Sequence, residues 1–235
     1  MALPTKTPVS DTSPDRIIPP LENGDRLSRV EFESRYEAMP HVKKAELIEG
    51  VVYMPSPVRH RLHGEPHSYV MGWLVLYKAS TPGVQVSDNS TVRLDLDNEP
   101  QPDAILLIDP ERGGQTRLSE DGYVEGAPEL VVEVASSSAS YDLHAKQHVY
   151  RRNGVREYVV WRVLDQAVDW FVLREGEYER LQPGADGLLR SNVFAGLWLD
   201  PDALVQDDLA TVLATVQQGA ASLEHEAFVA RLSPA

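Results

Sequence analysis

The pattern of hydrophobic and polar positions predicts helices and strands from about residue 28 onward. In LSRVEFESRYEAMP, Ser28 and Glu31 have the spacing of a capping box and Pro40 follows, which predicts a first helix. KAELIEGVVYMPSP predicts two short strands around Glu49-Gly50. VRHRLHGEPHSYVMGWLVLYKAS predicts a second helix, with Pro66 in its first turn or at a kink.

The middle of the chain carries the clearest strand patterns. GVQVSDNSTVRLDLD alternates like a strand pair, and QPDAILLIDP predicts a short buried strand. ERGGQTRLSEDGYVEGAP predicts a loop. ELVVEVAS is the most β-branched run of the chain, which predicts the central strand of a sheet.

The second half of the chain returns to a helix and then to strands. Ser138 or Ser140 is expected to cap a helix that ends at Asn153-Gly154. VREYVVWRV, AVDWFVLREG and EYERLQP predict strands, with hairpin turns at Asp165-Gln166 and Glu175-Gly176. PDALVQDDLATVLATVQQGAASLEHEAFVARL is a C-terminal helical pattern.

This order of elements predicts an α/β (α+β) fold built on one mixed sheet. The Pro-, Ser- and Thr-rich residues 1–25 are expected to form a flexible tail. We therefore divide the chain into that tail, a domain over residues 26–205, and a C-terminal helical extension over residues 206–235.

Composition narrows the classes of function. The formal net charge of −14 argues against a general nucleic-acid coat protein, because non-specific binding depends on Lys and Arg neutralising phosphates. An enzyme that meets nucleic acid through a local basic rim or a bound metal stays compatible with this charge. The chain has no cysteine, which excludes disulfides, a thiol nucleophile and a Cys-based zinc site, and fits a cytoplasmic location. Neither a signal peptide nor a membrane span is predicted.

The predicted central strand contains a carboxylate, Glu133, among apolar neighbours. A buried carboxylate is costly unless a metal or an ionic partner compensates it. Asp103 begins the preceding buried strand, so the two acids can face the same side if the strands are neighbours. A hard divalent ion such as Mg²⁺ would then relieve their repulsion. The alternative is an Asp that caps backbone amides and a Glu that is paired with an Arg.

Asp142 and Lys146 follow at i,i+4 spacing and share one helical face. They either form an exposed ion pair of small energy, or Lys146 projects toward the metal. In the second case its ammonium would orient an attacking water or stabilise charge on the phosphorus-centred transition state.

Several stretches in this order resemble the Uma2 family of restriction-endonuclease-like proteins in the PD-(D/E)XK nuclease superfamily. They are AELIEGVVYMPSPVRH, QPDAILLID, APELVVEVASSSASYDLHAKQHVY, NGVREYVVW and SNVFAGLWL, and the resemblance covers roughly residues 28–205. It implies a restriction-endonuclease-like mixed β-sheet core flanked by helices, with an added N-terminal β region.

The same resemblance implies a catalytic set. Asp103, Glu133 and Lys146 match the superfamily signature, although the usual Lys position, two residues after the Glu, is Ala135 here. In this family the Lys has moved to the following helix. Glu46 matches an early acid of the family and would join Asp103 and Glu133 as a ligand of magnesium or manganese. Its alternative is a solvent-facing Glu at a strand start.

Accessory residues follow from the same comparison. His60 matches a family His, and Asp142 lies beside the catalytic Lys, so both are candidate accessory residues. His60 and His63 also have the spacing of a zinc pair, but no third ligand is evident. The basic residues that best suit phosphate contact are Arg59, Arg61, Arg151, Arg152 and Arg156. The chain departs from the family at Ser137, where a Pro is frequent, and at Tyr158-Val159, where a Tyr-Trp pair is usual.

Three functions remain open at this point. The first is a metal-dependent endonuclease that acts on nucleic acid, with DNA as the expected substrate and a homodimer suggested by other superfamily nucleases. The second is a nuclease fold without catalysis that binds nucleic acid or a protein partner. The third is an unrelated scaffold, against which Glu133 inside a Val-rich strand counts. The complete Asp, Glu and Lys set favours the nuclease.

Overall fold

The computed structural model describes residues 18–55, 57–136 and 141–233. Most of the predicted tail, the two predicted helix caps Ser138 and Ser140, and the family departure at Ser137 lie outside these residues. The α-helices are α1 (Arg29–Glu37), α2 (Glu65–Ala79), α3 (Gln147–Asn153), α4 (Pro201–Val205), α5 (Leu209–Ala220) and α6 (Leu223–Leu232). Two π-helical turns, His60–Gly64 and Asp142–Lys146, lead directly into α2 and α3.

The strands form a mixed sheet with smaller sheets around it. They are β1 (Glu46–Ile48), β2 (Val51–Tyr53), β3 (Val84–Asp88), β4 (Val92–Arg93), β5 (Ala104–Ile108), β6 (Arg117–Leu118), β7 (Val124–Glu125), β8 (Leu130–Ala135), β9 (Glu157–Arg162), β10 (Ala167–Arg174), β11 (Glu177–Arg180), β12 (Leu189–Arg190) and β13 (Trp198–Leu199). The main sheet has the order β11-β10-β9-β8-β5-β3. Within it β8 and β9 are parallel and the other neighbours are antiparallel, which confirms the predicted mixed sheet.

The central strand β8 separates two hydrophobic cores. Val132 and Val134 face a core built with Trp73 and Leu74 of α2 and with the C-terminal helices. Val131 and Ala135 face a second core that contains Tyr150 and Tyr158. Because successive side chains of a strand point to opposite faces, Glu133 lies on the side of this second core. The prediction that this Val-rich run is the central strand is confirmed.

The N-terminal β region is the hairpin of β1 and β2. Its antiparallel register places Glu46 opposite Tyr53. Helix α1 covers the hairpin through Phe32, which shares a third small core with Leu47 and Val52. The predicted cap of α1 is also present, since the Ser28 hydroxyl accepts a hydrogen bond from the Glu31 backbone N–H.

Three elements differ from the sequence predictions. The two strands of GVQVSDNSTVRLDLD do not pair with each other: β3 is an edge strand beside β5, and β4 pairs in parallel with β7. The predicted loop after β5 contains the strands β6 and β7. Each has only two residues, which is too few to show an alternation of hydrophobic and polar positions in the sequence. The C-terminal pattern is split into α4, α5 and α6, because Asp208 and Ser222 start new helices by accepting hydrogen bonds from the backbone N–H groups of Thr211 and His225.

The division of the chain into tail, domain and extension stays a prediction. None of the described helices is long and apolar enough to cross a membrane.

We expect Gly219→Ala to destabilise the fold by about 1–3 kcal/mol, because overpacking forces neighbouring groups to shift. A Cβ at Gly219 of α5 would lie 2.2 Å from the Gly196 carbonyl oxygen and 2.8 Å from the Trp198 ring. Gly72 of α2 is the matched control, since the nearest atom to its Cβ would be at 3.9 Å and Ala is the better helix former. Urea unfolding measures both variants. Equal stabilities would show that α5 does not pack this closely.

Candidate active site

Four of the predicted residues come from separate elements and meet in one buried pocket. The register that pairs Ala104 with Val132 brings Asp103, one residue before β5, opposite Glu133 in β8. Glu46 enters from the hairpin and Lys146 from the π-helical turn. Their exposed fractions are 5% for Glu46 and 3% for each of the others. Local sequence supplies the strands, and their pairing supplies the pocket.

Lys146 is the cation at the centre of this pocket. Its Nζ lies 2.9 Å from the Oε1 atoms of both Glu46 and Glu133, and 3.9 Å from Oδ1 of Asp142. Asp142 is buried with it, so the alternative of an exposed i,i+4 ion pair is wrong. Burial acts to lower the pKa of Lys146, but the carboxylates of Glu133, Glu46 and Asp142 raise it well above its usual value. The surrounding carboxylates therefore favour the charged form of this amine.

Glu133 is held by two donors on the same oxygen. The Tyr150 hydroxyl donates to Oε1 at 2.9 Å, and the Lys146 ammonium donates to the same atom. Burial raises the pKa of Glu133 to about 8, against the attraction of Lys146 and with the repulsion of Asp103 and other neighbouring carboxylates. Sequence reasoning missed Tyr150. Its position four residues after Lys146, on the same helical face, was the signal that could have found it.

Asp103 is fixed by the backbone and flanked by cations. Its Oδ2 accepts a hydrogen bond from the Val134 N–H at 2.8 Å, and its Oδ1 lies 3.4 Å from Lys44 Nζ and 3.4 Å from His63 Nε2. Burial opposes ionisation, but the His63 hydrogen bond and the Lys44 charge hold the pKa of Asp103 well below its usual range. Asp103 is thus both a backbone cap, as one alternative held, and an ionised member of the pocket.

Three histidines lie at the start of the second helical segment, and the one that contacts Asp103 is His63, not the predicted His60. His60 is exposed and lines an open cleft of about 540 Å³, apart from Asp103. His63 makes the contact with Asp103, and its Nδ1 lies 3.1 Å from the Val134 carbonyl oxygen. The hydrogen bond to Asp103 is the main reason that the pKa of His63 is raised. His67 reaches the Asp103 carbonyl oxygen at 2.9 Å. The sequence had suggested His63 only as the partner of His60 in a zinc pair, and it gave no role to His67.

Glu46 is not a solvent-facing residue. Its Oε1 accepts the Gln101 backbone N–H at 2.8 Å in addition to the Lys146 ammonium. The segment before Asp103 thereby ties the N-terminal hairpin to the pocket.

The predicted phosphate-contact residues fall into two groups. Arg152 lies 3.5 Å from Glu49 and 3.7 Å from Asp95, while Arg151 and Arg156 contact Glu177 and Gln115. Arg59 and Arg61 are exposed and make no ion pair with any described residue. Of the five predicted arginines, Arg59 and Arg61 are therefore the two whose side chains make no ion pair or hydrogen bond with a described residue.

The pocket has the donor chemistry of a hard metal ion. Its buried carboxylates outnumber its one buried ammonium, Lys146, and are those of Glu46, Asp103, Glu133 and Asp142. In the parts of the chain that the structure describes, no three acidic or histidine side chains already surround a common point suited to a metal ion. Both hydrogen bonds of Glu133 to described residues end on Oε1, so its other oxygen is the atom of this set that best suits a hard divalent cation. Asp103 Oδ1 already faces Lys44 and His63.

Comparisons with known proteins show the family and the fold of this chain. The chain matches the family described as "Uma2: Putative restriction endonuclease" over residues 30–202. A crystal structure titled as a putative nuclease belonging to DUF820 from Anabaena variabilis has a similar fold, with a TM-score of 0.50 and 15% sequence identity. The match covers 73% of this chain and 97% of that one. Curated protein sequences gave no match. The chain therefore belongs to the Uma2 family of restriction-endonuclease-like proteins.

Proposed function

We propose that this chain is a divalent-metal-dependent endonuclease that hydrolyses phosphodiester bonds, with DNA as its substrate. The observation that carries the proposal is the meeting of Lys146 with Glu46 and Glu133 in a buried pocket beside Asp103. Family membership and the nuclease-like fold support the same class of reaction.

Asp103 and Glu133 would hold the metal through oxygen ligands, and Glu46 would complete the acidic set. When bound, Mg²⁺ or Mn²⁺ supplies positive charge to a phosphoryl oxygen and lowers the pKa of a ligated water. The excess of carboxylates over buried ammonium groups supports this role, because an added cation relieves their repulsion.

Lys146 would act as a positive charge that is held in place beside the reacting phosphoryl group. Its position between two carboxylates keeps the ammonium protonated and restrained. A charge held in place in a water-poor pocket stabilises negative charge that develops on the phosphoryl group, because no reorganisation is needed during reaction. Tyr150 restrains Glu133 from the other side of the same oxygen. Asp103 stays ionised and is oriented by the Val134 N–H.

A plasmid-nicking assay tests this function. We expect the native chain to nick supercoiled DNA with Mg²⁺ or Mn²⁺, and EDTA to abolish the activity. Asp103→Asn keeps the shape of the side chain but removes its charge, so nicking should fall by about 10²–10³-fold, the usual effect of losing one electrostatic group of an active site.

The control for this assay is Asp97→Asn, an exposed acid in the same part of the chain. This variant should nick DNA at the native rate. If the native chain leaves DNA and RNA intact with every divalent metal, the nuclease proposal fails and a non-catalytic binding module takes its place.

A further inference from the structure

Two tyrosines form an aromatic pair beside the catalytic pocket. Tyr53 lies opposite Glu46 in the hairpin register, and Tyr141 directly precedes Asp142. Their ring centroids are 4.4 Å apart with an interplanar angle of 39°. The Lys146 ammonium lies 5.7 Å from the Tyr141 ring centroid. The pair thus lies beside both the hairpin acid Glu46 and the cation Lys146.

The two tyrosines are partly exposed to solvent, and the hydroxyl of one of them lacks a hydrogen-bond partner among the described residues. Both tyrosines are half-buried, so part of each side chain stays open to solvent. The Tyr141 hydroxyl is buried and has no hydrogen-bond partner among the described residues. A buried hydroxyl that lacks a partner calls for an explanation, and a donor directed at a substrate oxygen or at a water provides one.

Charge makes strong electrostatic binding of a duplex backbone difficult for this protein. Duplex affinity depends mainly on cations that neutralise phosphates. The net charge is −14, and Arg151 and Arg152 are already paired with acids. A substrate that gains affinity from a source other than charge suits this surface better.

Stacking on aromatic side chains gives unpaired bases an affinity that does not depend on charge. In a duplex both faces of a base are covered by its neighbours, whereas an unpaired base can stack on a tyrosine. A base that stacks on the solvent-exposed part of the pair would bring its adjacent phosphodiester to the edge of the pocket, since the buried Lys146 ammonium lies 5.7 Å from the Tyr141 ring centroid.

We propose that Tyr53 and Tyr141 form a stacking platform for an unpaired nucleobase next to the scissile phosphodiester. The substrate class is therefore single-stranded or locally unpaired nucleic acid. This inference deepens the proposed function and rests on it for the cleavage step.

Binding tests the platform without cleavage. Fluorescence anisotropy of a labelled oligothymidylate, and of the same strand in a blunt duplex, is measured with the Asp103→Asn chain. We expect tighter binding of the single strand. Tyr53→Ala and Tyr141→Ala should each weaken single-strand binding about ten-fold or more, as loss of one stacking partner does.

Matched variants separate stacking from folding. Tyr53→Phe should bind the single strand like the parent, because the ring is retained. Tyr123→Ala, which removes a half-buried tyrosine that packs under Arg93, should also leave binding unchanged. Circular dichroism confirms that each variant is folded.

Two outcomes overturn the platform: equal affinity for single strand and duplex, or alanine variants that bind the single strand like the parent. Either result leaves the nicking assay of the native chain untouched. Conversely, a native chain that binds single strands through the tyrosines but cleaves nothing contradicts the nuclease proposal alone.

Discussion

Replacing Lys146 with methionine is expected to eliminate most nuclease activity and to destabilise the fold at the same time. Methionine matches the length and apolar stem of lysine but has no charge. The substitution leaves Glu46 and Glu133 buried without their shared cation. Removing one partner from a buried ionic group costs about 3–5 kcal/mol of unfolding free energy. Loss of the fixed charge should lower the cleavage rate by about 10²–10³-fold.

Urea unfolding measures the stability, and the nicking rate is measured without urea at a temperature at which the variant is folded, so the two effects are checked separately. Lys78→Met is the matched control, because Lys78 is exposed on α2 and makes no ion pair with any described residue. The control should keep native stability and activity. A Lys146→Met chain that cuts DNA at the native rate would show that the ammonium has no part in the reaction.

Glu133→Gln is expected to have opposite effects on activity and on stability. Gln cannot supply an anionic ligand, so metal-dependent cleavage should fall by about 10²–10³-fold. The folded chain, in contrast, should gain stability at alkaline pH. Lys146 keeps Glu46 as a partner, and one of several crowded carboxylates has been removed.

The sign of the pH dependence follows from the pKa of Glu133. Burial raises that pKa from 4.5 to about 8 in the folded state. Between these two values the folded chain binds more protons than the unfolded chain, so this residue contributes less and less stability as pH rises. Gln does not titrate. The advantage of Glu133→Gln over the native chain should therefore be absent below pH 4.5 and grow to a few kcal/mol above pH 8.

Metal-free urea unfolding over this pH range measures the difference. Glu120→Gln serves as the control, because Glu120 is exposed. Its stability should follow that of the native chain at every pH. If Glu133→Gln is less stable than the native chain at alkaline pH, the ionised carboxylate of Glu133 stabilises the fold. The expectation that this residue lowers stability would then be wrong.

Residues of the site differ in how far sequence could predict them. Glu133 was identified because a charge inside an apolar β-branched run needs compensation. Asp103 and Lys146 were candidates from their positions in the pattern, and a family resemblance supported both and added Glu46. The structure brings these residues together with Glu133. Their roles in metal binding and catalysis stay predictions until the variants are measured.

Tyr150, Lys44 and His63 could not be predicted in the same way. Tyr150 shares a helical face with Lys146 through its i,i+4 spacing, but a tyrosine in an amphipathic helix usually belongs to a core, so the spacing alone does not show that it donates to Glu133. Lys44 and His63 reach Asp103 from segments far from it in sequence. His60 was chosen instead, because it matches a His of the family, and a sequence match does not show which side chain reaches Asp103.

The sequence by itself determined the order of helices and strands, the central position of β8 and the buried acid within it, because side-chain periodicity and β-branching act over neighbouring residues. Only the tertiary structure decided that β3 pairs with β5 and not with β4, that Asp103 stands opposite Glu133, and that Lys146 reaches Glu46 as well as Glu133. These contacts depend on strand neighbours and register. The strand neighbours are set by the packing of distant segments against each other, and the register follows from which face of each strand that packing buries.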